Sequence, residues 1–512
     1  MDEGLPLVGV IGAGTMGAGI AQVAALAGHR VLLADAVDGA AGRAIDRIRE
    51  RVKAQVAKGR LDADADALDL SPAAISDLAG AGVVIEAVVE DLEVKRALFA
   101  QLEAVVSADC LLASNSSSLT PTAMAAGLAH PERLVGLHFF NPVPAMKLVE
   151  VISGLATAAS AADRAEALAQ AWGKTVVRSA ATPGFIVNRI ARPYYAEAWR
   201  LLDEHAAVPA VIDAVLTGAG GFRMGPFALM DLIGHDVNES VTRSVWASFA
   251  NDPRFAPSLG QRSLVEAGWL GRKTGRGCYD YADGATPPVP APAPPRPAPA
   301  FVISQADSGL GPLLTRSGVS VEERPAGPGD GHDGRDGRDG RDGLVELPGG
   351  VTLVRCAGAT ATSLAAAKGH PVIVVDRTLD DASATAIAVA PSAGCPADAL
   401  DLAVGLLQAA GLNVFVIDDV PGLIVTRTVA MLANLAADAV AGRVASAADI
   451  DTAMRLGVNY PRGPLAWAGQ WGLRTVLATL DDMESWYRDG HYRASPLLRR
   501  AAATNGALSW SG

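Results

Sequence analysis

The sequence predicts a doubly wound, mostly parallel α/β domain followed by an all-α domain. A degenerate second copy then follows, made of a truncated α/β region and another helical domain. Three observations carry this. Up to about residue 180, short apolar runs alternate with helical patterns, the signature of strands buried on both faces of a parallel sheet. From Pro183 the alternation stops and helical periodicity takes over. The segment that opens this helical part, TPGFIVNRIARPYYAEAWRLL at 182–202, recurs as DVPGLIVTRTVAMLANLAADAV at 419–440.

In chain order, LVGVIG (7–12), RVLLAD (30–35), GVVIEAV (82–88), CLLASN (110–115), LVGLHFF (134–140) and TVVRSA (175–180) read as strands. These define a first domain over 1–182. The helical domain spans 183–284. Residues 285–344 read as a linker region. It opens with the proline-rich ATPPVPAPAPPRPAPA (285–300), where helix and central strand are both denied. A remnant strand-helix-strand is expected over 301–324, and GDGHDGRDGRDGRDG (329–343) has turns but nothing apolar to bury. The degenerate α/β region covers 345–420, with VTLVRC, PVIVVD, TAIAVA and NVFVID as strands and a helix near 398–410. A second helical domain covers 421–512.

The repeat has one register. Adding 238 carries Pro183-Gly184 onto Pro421-Gly422, Ile186, Val187 and Arg189 onto Ile424, Val425 and Arg427, Asp213 onto Asp451, and Gly225-Pro226 onto Gly463-Pro464. A constant offset over that span indicates internal duplication.

Composition narrows the function. The formal net charge of -12 argues against nucleic acid or an anionic membrane as a partner. The uncharged stretch 5–28 imitates a membrane span, but Asp2 and Glu3 precede it and glycines interrupt it. The four cysteines, Cys110, Cys278, Cys356 and Cys395, form no CxxC pair. Reduced thiols, a cytoplasmic setting and no metal site are therefore expected.

The first strand runs into GAGTMG, so Gly12, Gly14 and Gly17 form GxGxxG, and Asp35 ends the next strand. Gly12 permits the tight turn, Gly14 the approach of a pyrophosphate, and Gly17 close helix–sheet packing. Free N–H groups of the following helix face the phosphates. The Asp35 carboxylate accepts from ribose hydroxyls and repels a 2′-phosphate, so NAD is favoured over NADP. The competing reading is an ordinary glycine turn with a capping aspartate.

His138 ends an apolar strand, where open parallel sheets form their ligand crevice. An alcohol losing hydride needs a base near neutrality, and histidine suits it. Glu150 lies twelve residues on and orients the imidazole if the chain folds back. Spacing alone leaves open a core histidine with a surface glutamate. In SNSSSL (114–119), the hydroxyls and Asn115 suit either polar ligand groups or helix capping, and Asn188 has the same two readings.

Together VIGAGTMGAGIAQ, VVIEAVVEDLEVK, SNSSSL, GLHFFNPVPAMKLVEV and PGFIVNRI resemble the NAD-dependent 3-hydroxyacyl-CoA dehydrogenase family, and GPFALMDLIGHDV and GRKTGRGCYDY extend the likeness to about residue 281. The resemblance implies a Rossmann-like first domain and oxidation of (S)-3-hydroxyacyl-CoA to 3-oxoacyl-CoA. It implies His138 as base, Glu150 as its partner, and Ser117 and Asn188 as substrate contacts. Glu90, Lys95 and Asn115 fall on cofactor-side positions. The full-length plan resembles the long bacterial 3-hydroxybutyryl-CoA or 3-hydroxyadipyl-CoA subgroup, associated with fatty acid and phenylacetate catabolism. The alternatives are another β-hydroxyacid dehydrogenase, which would use a lysine and no HFFNP-like histidine, or a CoA-ester or NAD binding protein without turnover.

The same offset carries His138 onto Asp376, Glu150 onto Ala388 and Asn188 onto Thr426. The second copy has thus lost the chemistry. Its helical domain is expected to pair with the first inside one chain; a homodimer of whole chains is a second expectation.

Overall fold

The computed structural model describes residues 5–286, 288–305, 308–324, 344–504, 506 and 508. The repetitive 329–343 stretch lies outside them. The chain forms two compact units, one of Met1–Arg189 with Gly442–Val458, the other of Ile190–Ala441 with Asn459–Gly512. This grouping cuts across the helical-domain limits expected from sequence: residues 442–458 of the second copy belong with the first sheet.

The first unit is built on eight strands: β1 (Val8–Ile11), β2 (Val31–Ala34), β3 (Leu70–Pro72), β4 (Val83–Glu86), β5 (Leu111–Ser114), β6 (Leu134–Phe139), β7 (Leu148–Ser153) and β8 (Thr175–Ala180). Their order is β3-β2-β1-β4-β5-β6-β7-β8. All neighbours are parallel except β6 and β7. β1, β2, β4 and β5 are buried along their whole length, as continuous apolar runs require when helices cover both faces. β3 and β7 were not legible as strands; β3 has three residues and ends in proline.

The second unit contains a seven-stranded sheet: β9 (Phe301–Gln305), β10 (Ser320–Arg324), β11 (Leu344–Leu347), β12 (Val351–Arg355), β13 (Val372–Val375), β14 (Ala386–Pro391) and β15 (Asn413–Val416). The order is β10-β9-β11-β12-β13-β14-β15. The 238 offset continues into it without a gap. β7 maps onto β14, the helix Ala159–Ala171 onto Ala397–Ala409, and the antiparallel β6–β7 pair onto β13–β14. Backbone conformation repeats too. Phe185 and Leu423 have φ of 47° and 45°, His205 and Arg443 58° and 54°, Ala250 and Arg488 52° and 55°. Positive φ is costly for such residues, so its repetition marks common descent of the two copies.

The proline-rich stretch is no free spacer. Ala293 N–H donates to Val414 O at 2.8 Å, covering the edge of β15. Gln408 clasps the same stretch through the Arg296 N–H and the Ala293 and Pro294 carbonyls. Gly405 permits this, since a Cβ there would lie 2.1 Å from Pro297 O.

Around that sheet pack helices of both copies. Arg192–Asp203 lies against Val425–Ala441. Buried Glu197 accepts from His491 Nε2 at 2.7 Å and from the Tyr492 hydroxyl at 2.8 Å. Glu204 accepts from Arg427 and Tyr487. No helix among the described residues is long and apolar enough to cross a membrane.

Candidate active site

The strand ends of the first sheet open onto a cleft of about 360 Å³, lined by Met16, Glu90, Lys95, Asn115, Ser117, His138, Asn141 and Asn188 among others. The fold positions each in turn. β6 and β7 are antiparallel in a register that sets His138 opposite Glu150. A cross-strand pair on one face holds side chains within contact, and His138 Nδ1 lies 2.6 Å from Glu150 Oε2. Both residues are buried. Glu150 sits mid-strand rather than at a strand end, so register and not a loop aims it. Its other oxygen accepts from the Ile186 and Val187 N–H groups, each at 3.1 Å. One carboxylate thus holds both the imidazole and the backbone that leads into Asn188.

An ionised carboxylate only accepts, so Nδ1 carries the hydrogen and Nε2 keeps its lone pair. The rings of Phe140 and Phe185 flank the imidazole at 4.6 and 5.8 Å.

Around Ser117 the packing is polar. Glu90 Oε1 accepts from Ser116 Oγ, Ser117 N–H, Ser118 N–H and Ser118 Oγ, at 2.6 to 3.1 Å. Burial pushes the Glu90 carboxyl up, but the Ser116 hydroxyl, the Lys95 ammonium and the Ser118 groups outweigh it and hold it below the usual carboxylate range. Lys95 Nζ bridges Glu86 at 2.5 Å and Glu90 at 3.3 Å. Asn115 Oδ1 accepts from Phe139 N–H at 2.9 Å, tying the end of β5 to the residue after His138.

Sequence reasoning missed Glu86 and Asn141. Glu86 is fully buried and also accepts from Ser114 Oγ at 2.6 Å; an acid closing the apolar run VVIE was the available signal. Asn141 lines the cleft, and its place in HFFNP was the signal.

The glycine loop fits a dinucleotide. A Cβ on Gly12 would lie 2.4 Å from Ala87 O, and one on Gly17 1.8 Å from Gly12 O. At Gly14 a Cβ would meet nothing within 4 Å, so that face is open to a ligand. The helix Thr15–Leu26 has no side-chain cap, which leaves its first N–H groups for phosphate. Asp35 accepts from Ala13 and Val37 N–H at 2.6 and 2.8 Å, fixing its carboxylate beside the loop.

Asp231, His235 and Cys278 also converge, but as a hydrogen-bonded knot. Asp231 accepts from His235 and from the Cys278 and Tyr279 N–H groups. Burial holds the Cys278 thiol protonated.

In the second copy, Asp376 stands at the His138 position and takes over the capping half of Glu150's work. It accepts from the Ile424, Val425 and Thr426 N–H groups and from Thr426 Oγ1, at 2.7 to 3.0 Å. Ala388 leaves no orienting carboxylate, and no imidazole is present there.

A glycine loop on a parallel sheet with an oriented histidine at the strand ends defines a nicotinamide-dependent dehydrogenase. Residues 7–182 match "3-hydroxyacyl-CoA dehydrogenase, NAD binding domain". Residues 184–281 and again 422–508 match the C-terminal domain of that family. Residues 353–421 match "3-hydroxybutyryl-CoA dehydrogenase reduced Rossmann-fold domain". A 3-hydroxyadipyl-CoA dehydrogenase of Escherichia coli K12 is 46% identical over 499 residues, 97% of each chain. A 3-hydroxybutyryl-CoA dehydrogenase of Bradyrhizobium diazoefficiens is 42% identical over 287 residues, 55% of this chain and 97% of that one. The crystal structure of a 3-hydroxybutyryl-CoA dehydrogenase from E. coli K12 superposes with a TM-score of 0.86 at 44% identity, covering 98% of both chains. The chain therefore belongs to the 3-hydroxyacyl-CoA dehydrogenase family. It is an NAD-dependent oxidoreductase that interconverts 3-hydroxyacyl-CoA and 3-oxoacyl-CoA.

Proposed function

We propose that the first copy alone performs this reaction, on a 3-hydroxyacyl-CoA of the butyryl or adipyl type, in fatty acid or phenylacetate catabolism in the cytoplasm. The buried His138–Glu150 pair, with His138 lining the dinucleotide cleft, carries the reading. NAD+, when bound, supplies the hydride acceptor. Gly12, Gly14, Gly17 and Asp35 would hold its pyrophosphate and ribose, and Glu90, Lys95 and Asn115 line the wall of the same cleft. His138 Nε2 takes the proton of the 3-hydroxyl as C3 is oxidised, and Glu150 stabilises the imidazolium that forms. Ser117 and Asn188 orient the substrate oxygens, so that the bound geometry is close to the reacting one.

The second copy is then a pairing partner. Its helix Val425–Ala441 against Arg192–Asp203, with Glu197 and Glu204 bonded across, supports an internal pseudo-dimer of helical domains. The limits expected from sequence, with helical domains at 183–284 and 421–512, describe the duplication even though compact units cross them. Whole chains can pair further as homodimers.

Rates of NAD+ reduction with (S)-3-hydroxybutyryl-CoA and (S)-3-hydroxyadipyl-CoA test the substrate reading. Turnover of at least one, with kcat/KM of about 10⁴ M⁻¹ s⁻¹ or more, is expected. Turnover of longer acyl chains in preference to both would overturn it.

A further inference from the structure

The helix Ala447–Gly457 belongs by sequence to the second copy, yet it packs on β7 and β8 of the first sheet. Just before it, Val444 O accepts from Ala180 N–H at 2.7 Å, at the end of β8. The exchange is reciprocal. In the second unit the matching first-copy helix, Pro209–Gly218, packs on β14, and Gly218 O accepts from Thr385 N–H at 3.0 Å. A Cβ on Gly218 would lie 2.7 Å from Ala386 Cβ. The same offset relates Ala386 to Leu148, which receives the end of the second-copy helix. There, a Cβ on Gly457 would lie 2.8 Å from Leu148 Cδ2 and 2.9 Å from Val187 Cγ2.

Val187 makes this contact consequential. Its N–H donates to Glu150 Oε1, and Asn188 is the next residue. Leu148 is two residues before Glu150 on β7. Val187 is β-branched and stiff at χ1, so pressure on its methyl moves the backbone rather than a flexible tip. Gly457 does not have a positive φ, so alanine there meets no backbone strain and only the added methyl acts.

We propose that Gly457, contributed by the second copy, is a positioning residue for the first copy's reaction: its missing side chain sets where Val187 lies, and through Val187 the hold on Glu150 and the placement of Asn188. The second copy then supplies no reacting group, but supports the first copy's site by packing as well as pairing with it. This rests on the reading of His138, Glu150 and Asn188 given above.

The test compares Gly457→Ala, Val187→Ala and the double variant, using NADH and acetoacetyl-CoA. Displacements of a few tenths of an ångström at the reacting groups cost on the order of tenfold in rate. For Gly457→Ala we expect kcat to fall by about that factor, with NADH affinity unchanged because the glycine loop is not touched. In the double variant, kcat returns to that of Val187→Ala alone, since the contact with Val187 is gone and the remaining contact, with the flexible end of Leu148, can yield into the space the valine methyls leave. Wild-type kcat in Gly457→Ala overturns the proposal. So does a joint fall of kcat, NADH affinity and Tm that Val187→Ala does not relieve, because that is general damage. If Gly457→Ala fails to fold, the double variant is read against Val187→Ala: equal kcat supports the proposal and a lower one overturns it. His138→Ala, run in parallel, separates the two readings. Full activity there defeats the assignment of the base and leaves the Gly457 contact as a packing fact alone.

Discussion

Glu150→Gln changes one atom type in a fully buried position, and its effect can be worked through donor by donor. Glu150 Oε1 receives two backbone N–H groups at 3.1 Å and Oε2 faces His138 Nδ1 at 2.6 Å. Glutamine has one acceptor oxygen and one NH₂. Turning the NH₂ toward Ile186 and Val187 would set donor against donor and orphan two buried N–H groups, at about 1–3 kcal/mol each. Turning it toward His138 costs only a change of imidazole tautomer. The second arrangement wins. The amide then donates to Nδ1, the hydrogen moves to Nε2, and the atom facing the cleft can no longer accept a proton. Loss of the charge also removes what stabilises imidazolium. The expected fall in kcat is about 10³–10⁴, or about 4–5.5 kcal/mol in barrier, with Tm nearly unchanged because the backbone bonds survive. Stopped-flow NAD+ reduction with NADH affinity as a control measures it. A variant within tenfold of wild type would refute the orientation argument.

Other expectations follow from the same contacts. Asn188→Ala should lower kcat/KM by about 10–100-fold with NADH affinity retained; equal loss of NADH binding would contradict a substrate-side role. Lys95→Met leaves Glu86 buried without its cation and should cost about 3–5 kcal/mol by urea denaturation, partly restored in Lys95→Met/Glu86→Gln; no coupling between the two would count against the bridge. The Ser116 and Ser118 groups and the Lys95 ammonium hold the folded Glu90 carboxyl below the ordinary glutamate range, against the upward push of burial. Its contribution is therefore present above about 4.5 and lost as pH falls through the folded value. The urea midpoints of wild type and Glu90→Gln should converge on acidification below about pH 4.5, and a gap independent of pH would contradict this.

Much of the fold was legible because its signals are local. Strands buried on both faces write continuous apolar runs, as in LVGVIG and CLLASN, and the glycine loop lies within one strand-turn-helix. β7 hid because Glu150 interrupts its apolar run, LVEVIS, and that acid serves a cross-strand partner rather than solvent. The pairing of His138 with Glu150 depended on an antiparallel register that spacing alone leaves open. Glu86 escaped because its value lies in Lys95 and Ser114, contributed by a helix and a neighbouring strand. The docking of 288–300 was invisible for the opposite reason: proline composition predicts the absence of helix, and the contacts come from Gln408 and Gly405 far along the chain. The allegiance of 442–458 to the first sheet is a tertiary choice that a repeat register cannot reveal.

The central claim is that one chain carries one working site and a second copy whose chemistry is gone. Its most direct test is NADH oxidation with acetoacetyl-CoA by wild type, His138→Ala and Asp376→Ala, with folding followed by circular dichroism. A loss of about 10³-fold or more is expected in His138→Ala, with kcat retained in Asp376→Ala despite lower stability. Comparable loss in a folded Asp376→Ala, or an active His138→Ala, would contradict it.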